Sequence, residues 1–160
     1  MRARKVWCYR QCVDNRINPE GLHLCYKLDT EMETVIESKA YGNLHIWYAE
    51  DTETKYWDGN GKRIRVWTIT DPYSGLQICS VKATSVREML HKFETETAAR
   101  YLEMIKYPTE LYARATVKMC EIATYLEQFE SPNKGSNRTP DMYISFDVPM
   151  ETIKAHIHNN

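Results

Sequence analysis

The spacing of apolar residues changes near residue 84, and this change constrains the fold more than any other feature of the sequence. Before it, segments such as Val6 to Val13 and Arg63 to Thr70 alternate in character or are rich in β-branched residues, which is typical of β-strands. After it, apolar residues recur every three to four positions, which is typical of amphipathic helices. Strands followed by helices predict an α+β fold.

The segment 1–83 predicts an antiparallel sheet of about five or six strands arranged as an N-terminal meander. Two turns support this interpretation. Asp58-Gly59-Asn60-Gly61 contains residues that tolerate positive φ, and Asp71 to Gly75 places Pro and Gly as a β-turn requires. Residues 30–38 suit either a short helix or a strand, and the sequence leaves that choice open.

The segment 84–130 predicts a helical hairpin. Ser85 and Glu88 have the spacing of a capping box, and an apolar stripe follows at helical period. Pro108 ends the first helix, and a second stripe runs over residues 111–129. We expect the pair to pack on one face of the sheet. The second stripe could instead join two copies of the chain, so a homo-oligomer through the hairpin is an alternative.

The remaining segments complete one predicted domain over residues 1–160. Composition predicts a loop at 131–141, alternation predicts an edge strand at 142–148, and residues 149–160 form a tail. A chain of 160 residues is long enough to bury a hydrophobic core.

The charge and cysteine content narrow the class of protein. The net charge is −1, which argues against a surface built entirely for nucleic acid. The five cysteines are an odd number, and the N-terminus lacks the apolar stretch of a secretory signal. No apolar run is long enough to span a bilayer. We therefore expect a cytoplasmic protein with free thiols and no membrane partner.

One group of residues has ligand types that suit zinc. The group consists of Cys8, Cys12, His23 and Cys25. If residues 8 to 12 are extended, however, the two sulfurs lie roughly 13 Å apart, too far for Zn–S bonds of about 2.3 Å. The site requires a knuckle at this point, and we expect buried strand cysteines instead.

The chain carries no motif of a known catalytic or cofactor site. It lacks Gly-x-Ser-x-Gly, His-Glu-x-x-His and Gly-x-Gly-x-x-Gly. The sequence 58–63 resembles a phosphate loop, but the required first glycine is Tyr56 and the required hydroxyl residue is Arg63. We expect no catalytic residues and no cofactor, although a triad assembled only in space would leave no such signal.

An acidic and aromatic segment suggests a protein interface. The segment 29–58 contains eight acidic and two basic side chains among several large rings. Trp and Tyr dominate interface hot spots, and carboxylates would favour a basic partner. The predicted interface residues are Tyr41, Trp47, Tyr48, Glu50, Asp51 and Trp57.

A basic strand offers a different partner. Lys62 begins a segment in which Arg63, Arg65 and Trp67 would share one face of a strand, with Tyr56 or Trp57 joining them from the neighbouring strand. Single-stranded nucleic acid is bound by such mixtures, the cations contacting phosphates and the rings stacking on bases.

These observations favour a small, non-enzymatic protein-binding module. It would act by occluding its target, as an inhibitor encoded by a phage or mobile element acts on a host defence system such as a CRISPR nuclease. Nucleic-acid binding through the basic strand is the first alternative. A cryptic enzyme or a zinc-binding protein is the second.

Overall fold

The structure of the protein is a computed structural model that describes residues 2–14, 23–126 and 144–147. The chain, for which the sequence predicts one domain, divides into two compact units. The first unit contains residues 1–6, 30–72 and 77–107, and the second contains residues 7–29, 73–76 and 108–160.

The described residues form one antiparallel sheet. Its strands are β1 (Arg4–Asp14), β2 (His23–Ser38), β3 (Gly42–Trp57), β4 (Arg63–Thr70), β5 (Gln77–Ala83) and β6 (Ile144–Asp147). The first five follow one another in sheet order, as a meander requires, and β6 pairs with β2. Residues 30–38, which suited either a helix or a strand, lie within β2. Pairing with a neighbouring strand selects the strand conformation over the helix, because residues 32–38 pair with β3.

Helices follow the sheet, and the α+β prediction is confirmed. The helical segments are α1 (Val86–Lys92), a π-helical turn (Phe93–Thr97), α2 (Ala98–Lys106) and α3 (Glu110–Leu126). The Ser85 hydroxyl accepts a hydrogen bond from the amide of Glu88 at 3.1 Å, and the Glu88 carboxylate returns to the amide of Thr84 at 2.9 Å. The predicted hairpin divides between the units, because α1 and α2 belong to the first and α3 to the second.

One face of the sheet in the first unit is buried beneath α1 and α2. Leu44, Ile46 and Tyr48 alternate along β3 and point into this core. Trp67, on β4, is 1% exposed and is the largest fully buried side chain there. Phe93, at the start of the π-helical turn, is completely buried in the same cluster. Burying one such side chain contributes about 1.5–3 kcal/mol to the free energy of unfolding. The apolar side chains therefore determine which face of the sheet is turned away from solvent.

Two buried polar contacts accompany that core. The hydroxyl of Tyr101, on α2, donates a short hydrogen bond to the carboxylate of Asp71. The hydroxyl of Thr70 donates to the carboxylate of Glu31 at 3.1 Å. All four residues are at most 3% exposed. A buried polar group requires a partner of this kind, so these pairs restrict how α2 and β2 pack in the first unit.

The second unit is organised around Tyr26. Its hydroxyl donates to the backbone oxygens of Ser74, at 2.9 Å, and Ala115, at 3.1 Å. Its ring packs with Tyr9 and Ile122. Gly75 fits closely against this cluster with a φ of +71°, and its carbonyl accepts the amide of residue 11 at 2.8 Å.

The predicted loop at 131–141 and the predicted tail at 149–160 lie outside the described residues. Of the segment 142–148, residues 144–147 are described, and they form β6. Across the described ranges, no helix combines the length and apolar character needed to cross a bilayer.

The replacement Gly75→Ala tests the packing around Tyr26. An added Cβ would lie 2.9 Å from both the Tyr26 ring and the Tyr9 carbonyl oxygen. Gly61→Ala is the matched control, because Gly61 has a φ of +77° but open space around it. We expect Gly61→Ala to cost about 1–2 kcal/mol from backbone strain alone, and Gly75→Ala to cost roughly 1–3 kcal/mol more from overpacking. Urea denaturation measures both values, and equal losses would contradict this account.

Candidate functional site

The end of the β3–β4 hairpin exposes two adjacent aromatic side chains. Tyr56 is 40% exposed and Trp57 is 60% exposed. Four exposed basic residues accompany them. We call the set the hairpin-end surface, and it consists of Lys55, Tyr56, Trp57, Lys62, Arg63 and Lys82. A single exposed ring is an ordinary surface feature, whereas a contiguous apolar patch marks a binding surface.

Backbone and side-chain hydrogen bonds close the turn that carries this surface. The carboxylate of Asp58 accepts the amides of Asn60 at 2.8 Å and Lys62 at 2.9 Å. The amide of Asp58 donates to the Lys62 carbonyl at 2.8 Å, and Gly61 adopts the positive φ that closes the turn. Because these bonds hold the tip, little conformational entropy remains to be lost when a partner binds.

The hairpin-end surface extends over both faces of the hairpin. Trp57 is opposite Arg63 in the strand register, and Tyr56 is opposite Ile64, so successive residues point to opposite sides. An irregularity in β3 precedes them, where the Asp51 carboxylate accepts the amides of residues 53 and 54 at 3.0 and 3.2 Å. This local turn sets the register that exposes both rings.

The charge of the surface is basic. Lys82, from β5, places its ammonium 4.5 Å from the centre of the Tyr56 ring, a cation–π distance. None of the four basic side chains forms an ion pair with a residue that the structure describes. The local charge is therefore available to an acidic partner, although the whole chain is nearly neutral.

The basic strand face predicted for nucleic acid is largely occupied within the first unit. Trp67 is 1% exposed and lies in the core, so its ring offers no stacking surface. The guanidinium of Arg65 lies 4.5 Å from the centre of that ring. It donates two hydrogen bonds to Glu50, at 2.8 and 2.7 Å. Of the predicted set, Lys62 and Arg63 keep exposed side chains.

The predicted protein interface does not form one patch. Tyr48 is 6% exposed in the core. Glu50 binds Arg65, and the hydrogen bond from Arg65 lowers the pKa of Glu50. Asp51 caps its own turn. Tyr41, at 40% exposure, and Trp57 lie at opposite ends of β3.

The sixth predicted interface residue, Trp47, is half-buried. Its indole N–H is buried and helps to lower the pKa of the Glu33 carboxyl. Of the six predicted interface residues, Trp57 and Tyr41 keep exposed rings, at 60% and 40%.

The predicted zinc ligands are only partly brought together. Cys8 and Cys12 lie on the extended strand β1, whereas a zinc site would require a knuckle at this point. Cys12 and Cys25 place their sulfur atoms 3.1 Å apart. The side chain of His23 lies outside the described residues. No group of three His, Cys, Asp or Glu side chains within the described ranges is arranged to hold a metal ion.

A cleft of about 480 Å³ opens beside Glu33 in the first unit. Arg2, Arg4 and His45 contribute to its lining. His45 Nε2 lies 2.8 Å from one Glu33 oxygen, and Arg4 donates to the other. Burial raises the pKa of Glu33, but the hydrogen bonds from Arg4 and His45 outweigh burial and the net pKa is lowered. Both oxygens of the Glu33 carboxylate are thus bonded within the cleft, by Arg4 and His45.

Sequence reasoning identified the turn at 58–61 but not the surface built on it. Trp57 is one of the six predicted interface residues, and Tyr56 or Trp57 is also a predicted addition to the face of Trp67. Lys82 comes from a strand almost twenty residues later. In the sequence, this surface is indicated only by a strong turn motif with aromatic and basic residues on either side of it.

The Glu33 carboxylate makes the stability of the protein depend on pH. Because its pKa is lowered in the folded protein, its contribution to stability is present above the ordinary carboxyl pKa. That contribution is lost as the pH falls through the lowered value. We expect the free energy of unfolding to fall more steeply between neutral pH and about pH 3 in the unmodified protein than in Glu33→Gln. Urea denaturation across this range measures it, and parallel curves would disprove the assignment.

Comparison with protein families, with curated proteins and with solved structures finds no match to this chain.

Proposed function

We propose that this protein is a non-enzymatic binding module that covers a surface of a partner protein, and that the hairpin-end surface is its contact region. The observation that carries the proposal is the exposure of Trp57, 60% of whose surface meets solvent. The preceding residue of β3, Tyr56, exposes a second ring on the opposite side of the hairpin, and hydrogen bonds to Asp58 hold the turn that follows. Leaving two such rings in water is unfavourable unless a partner covers them.

The residue types of this surface support a protein partner. Trp, Tyr and Arg are the residues most enriched in interface hot spots, and Trp57, Tyr56 and Arg63 bring one of each to the hairpin end. An aromatic side chain buries about 150–250 Å² when it is covered. A turn closed by hydrogen bonds that presents these side chains reduces the entropy lost on binding.

The charge of the surface specifies the partner's chemistry. Four basic side chains surround the rings, so the partner surface would be acidic, opposite to the basic partner expected from the sequence alone. Complementary charge speeds association and selects among partners more than it adds affinity. Covering a target is also how an occluding inhibitor acts. Action against a host defence system, such as a CRISPR nuclease, stays a prediction.

We expect Trp57→Ala to weaken retention of the partner by at least about tenfold, since a central hot spot contributes 2 kcal/mol or more. The measurement is a quantitative pull-down from host lysate treated with nuclease. Tyr41→Ala is the matched control, because Tyr41 has an exposed ring of 40% at the other end of β3. Equal retention by both variants would refute the proposal, provided that circular dichroism shows both folded.

Single-stranded nucleic acid is a second candidate partner, and one observation favours it. The Lys82 ammonium lies over the Tyr56 ring, which combines a phosphate contact with a platform for a base. This candidate predicts that nuclease abolishes recovery and that Lys62→Glu with Arg63→Glu removes binding to a fluorescent oligonucleotide. It also predicts affinity that falls steeply with salt. Retention that survives nuclease favours the protein partner instead.

A further inference from the structure

Two thiols of the second unit face each other between neighbouring strands. Cys12 is near the end of β1, and Cys25 is near the start of β2. Their sulfur atoms are 3.1 Å apart. The Cys25 thiol also lies 3.6 Å from the backbone oxygen of Cys12 and can donate to it.

This geometry is close to that of a covalent bridge. A disulfide has an S–S distance of about 2.0 Å and a Cα–Cα distance of about 4.4–6.8 Å. Neighbouring strands lie about 4.8 Å apart, within that range. The 3.1 Å separation of the two sulfur atoms exceeds the length of a disulfide bond by only about 1 Å.

We propose that Cys12 and Cys25 form a reversible dithiol–disulfide pair that is oxidised by low-molecular-weight disulfides such as glutathione disulfide. Cys12 is partly exposed and Cys25 is completely buried, so Cys12 is the residue that an oxidant reaches first. The proposal is independent of the hairpin-end surface and of the partner proposed for it.

The exchange proceeds in two steps. The Cys12 thiolate attacks one sulfur of the oxidant, forming a mixed disulfide and releasing one glutathione thiolate. The Cys25 thiolate then attacks the Cys12 sulfur, forming the internal bond and releasing the second glutathione. The two protein thiols lose two electrons and two protons, and the oxidant becomes two molecules of the reduced thiol.

The other cysteines differ from this pair. Cys8 is 4% exposed and lies earlier on β1. Burial raises the pKa of Cys79, and the hydrogen bond from Thr97 does not offset it, so its reactive thiolate is scarce. Cys120 is exposed on α3 and can react with an oxidant, which makes it the matched control.

Trypsin separates the five cysteines, which makes the pair directly measurable. Cleavage after Arg10, Arg16 and Lys27 places Cys12 on the peptide 11–16 and Cys25 on the peptide 17–27. The full chain is incubated with glutathione disulfide, its remaining thiols are alkylated, and it is digested without reductant. We expect one linked species joining these two peptides, which dithiothreitol separates.

The variants decide between this proposal and incidental thiol oxidation. We expect Cys120→Ser to retain the linked peptide, Cys12→Ser to lose it, and Cys25→Ser to accumulate glutathione on Cys12 because the second step is blocked. We also expect oxidation to raise the melting temperature of Cys120→Ser but not of Cys25→Ser, because a bridge constrains the unfolded chain. Folded protein that yields only glutathione adducts, or links Cys12 to another cysteine, would overturn the proposal.

Discussion

The burial of one face of β4 under α1 and α2 is the constraint on which the arrangement of the first unit depends. Trp67 fills that core with 1% exposure, and Phe93 from the π-helical turn is buried in the same cluster. Because side chains alternate across a strand, placing Trp67 inside also places Arg65 on the covered side. Glu50 then neutralises Arg65 at the edge of the core. The basic character of β4 is consequently reduced where the helices cover it and retained at the hairpin end.

The hairpin end escapes this burial because β3 and β4 extend to a tight turn. The hydrogen bonds of Asp58 fix that turn, and the irregularity after Asp51 sets the register of the last strand residues. Tyr56 and Trp57 therefore remain in water with cations around them. These exposed rings are the basis of the contact region that we propose for a partner.

The second unit follows a different principle. Its centre is the hydroxyl of Tyr26, which bonds two backbone carbonyls, and a glycine at residue 75 that leaves room for the ring. The thiols of Cys12 and Cys25 lie on the same two strands as this cluster. A disulfide between them would constrain the second unit, which contains Tyr26. The proposed partner surface belongs to the first unit.

The sequence by itself determined the α+β class, the meander, the capping box at Ser85 and the turn at 58–61, because each depends on local periodicity or local hydrogen bonds. Only the tertiary structure decided which aromatics are available. Trp67 on β4 is buried, whereas Trp57 at the end of the neighbouring strand β3 is 60% exposed. Solvent exposure depends on which face the helices cover and on strand register, and both are non-local properties that a single sequence does not state.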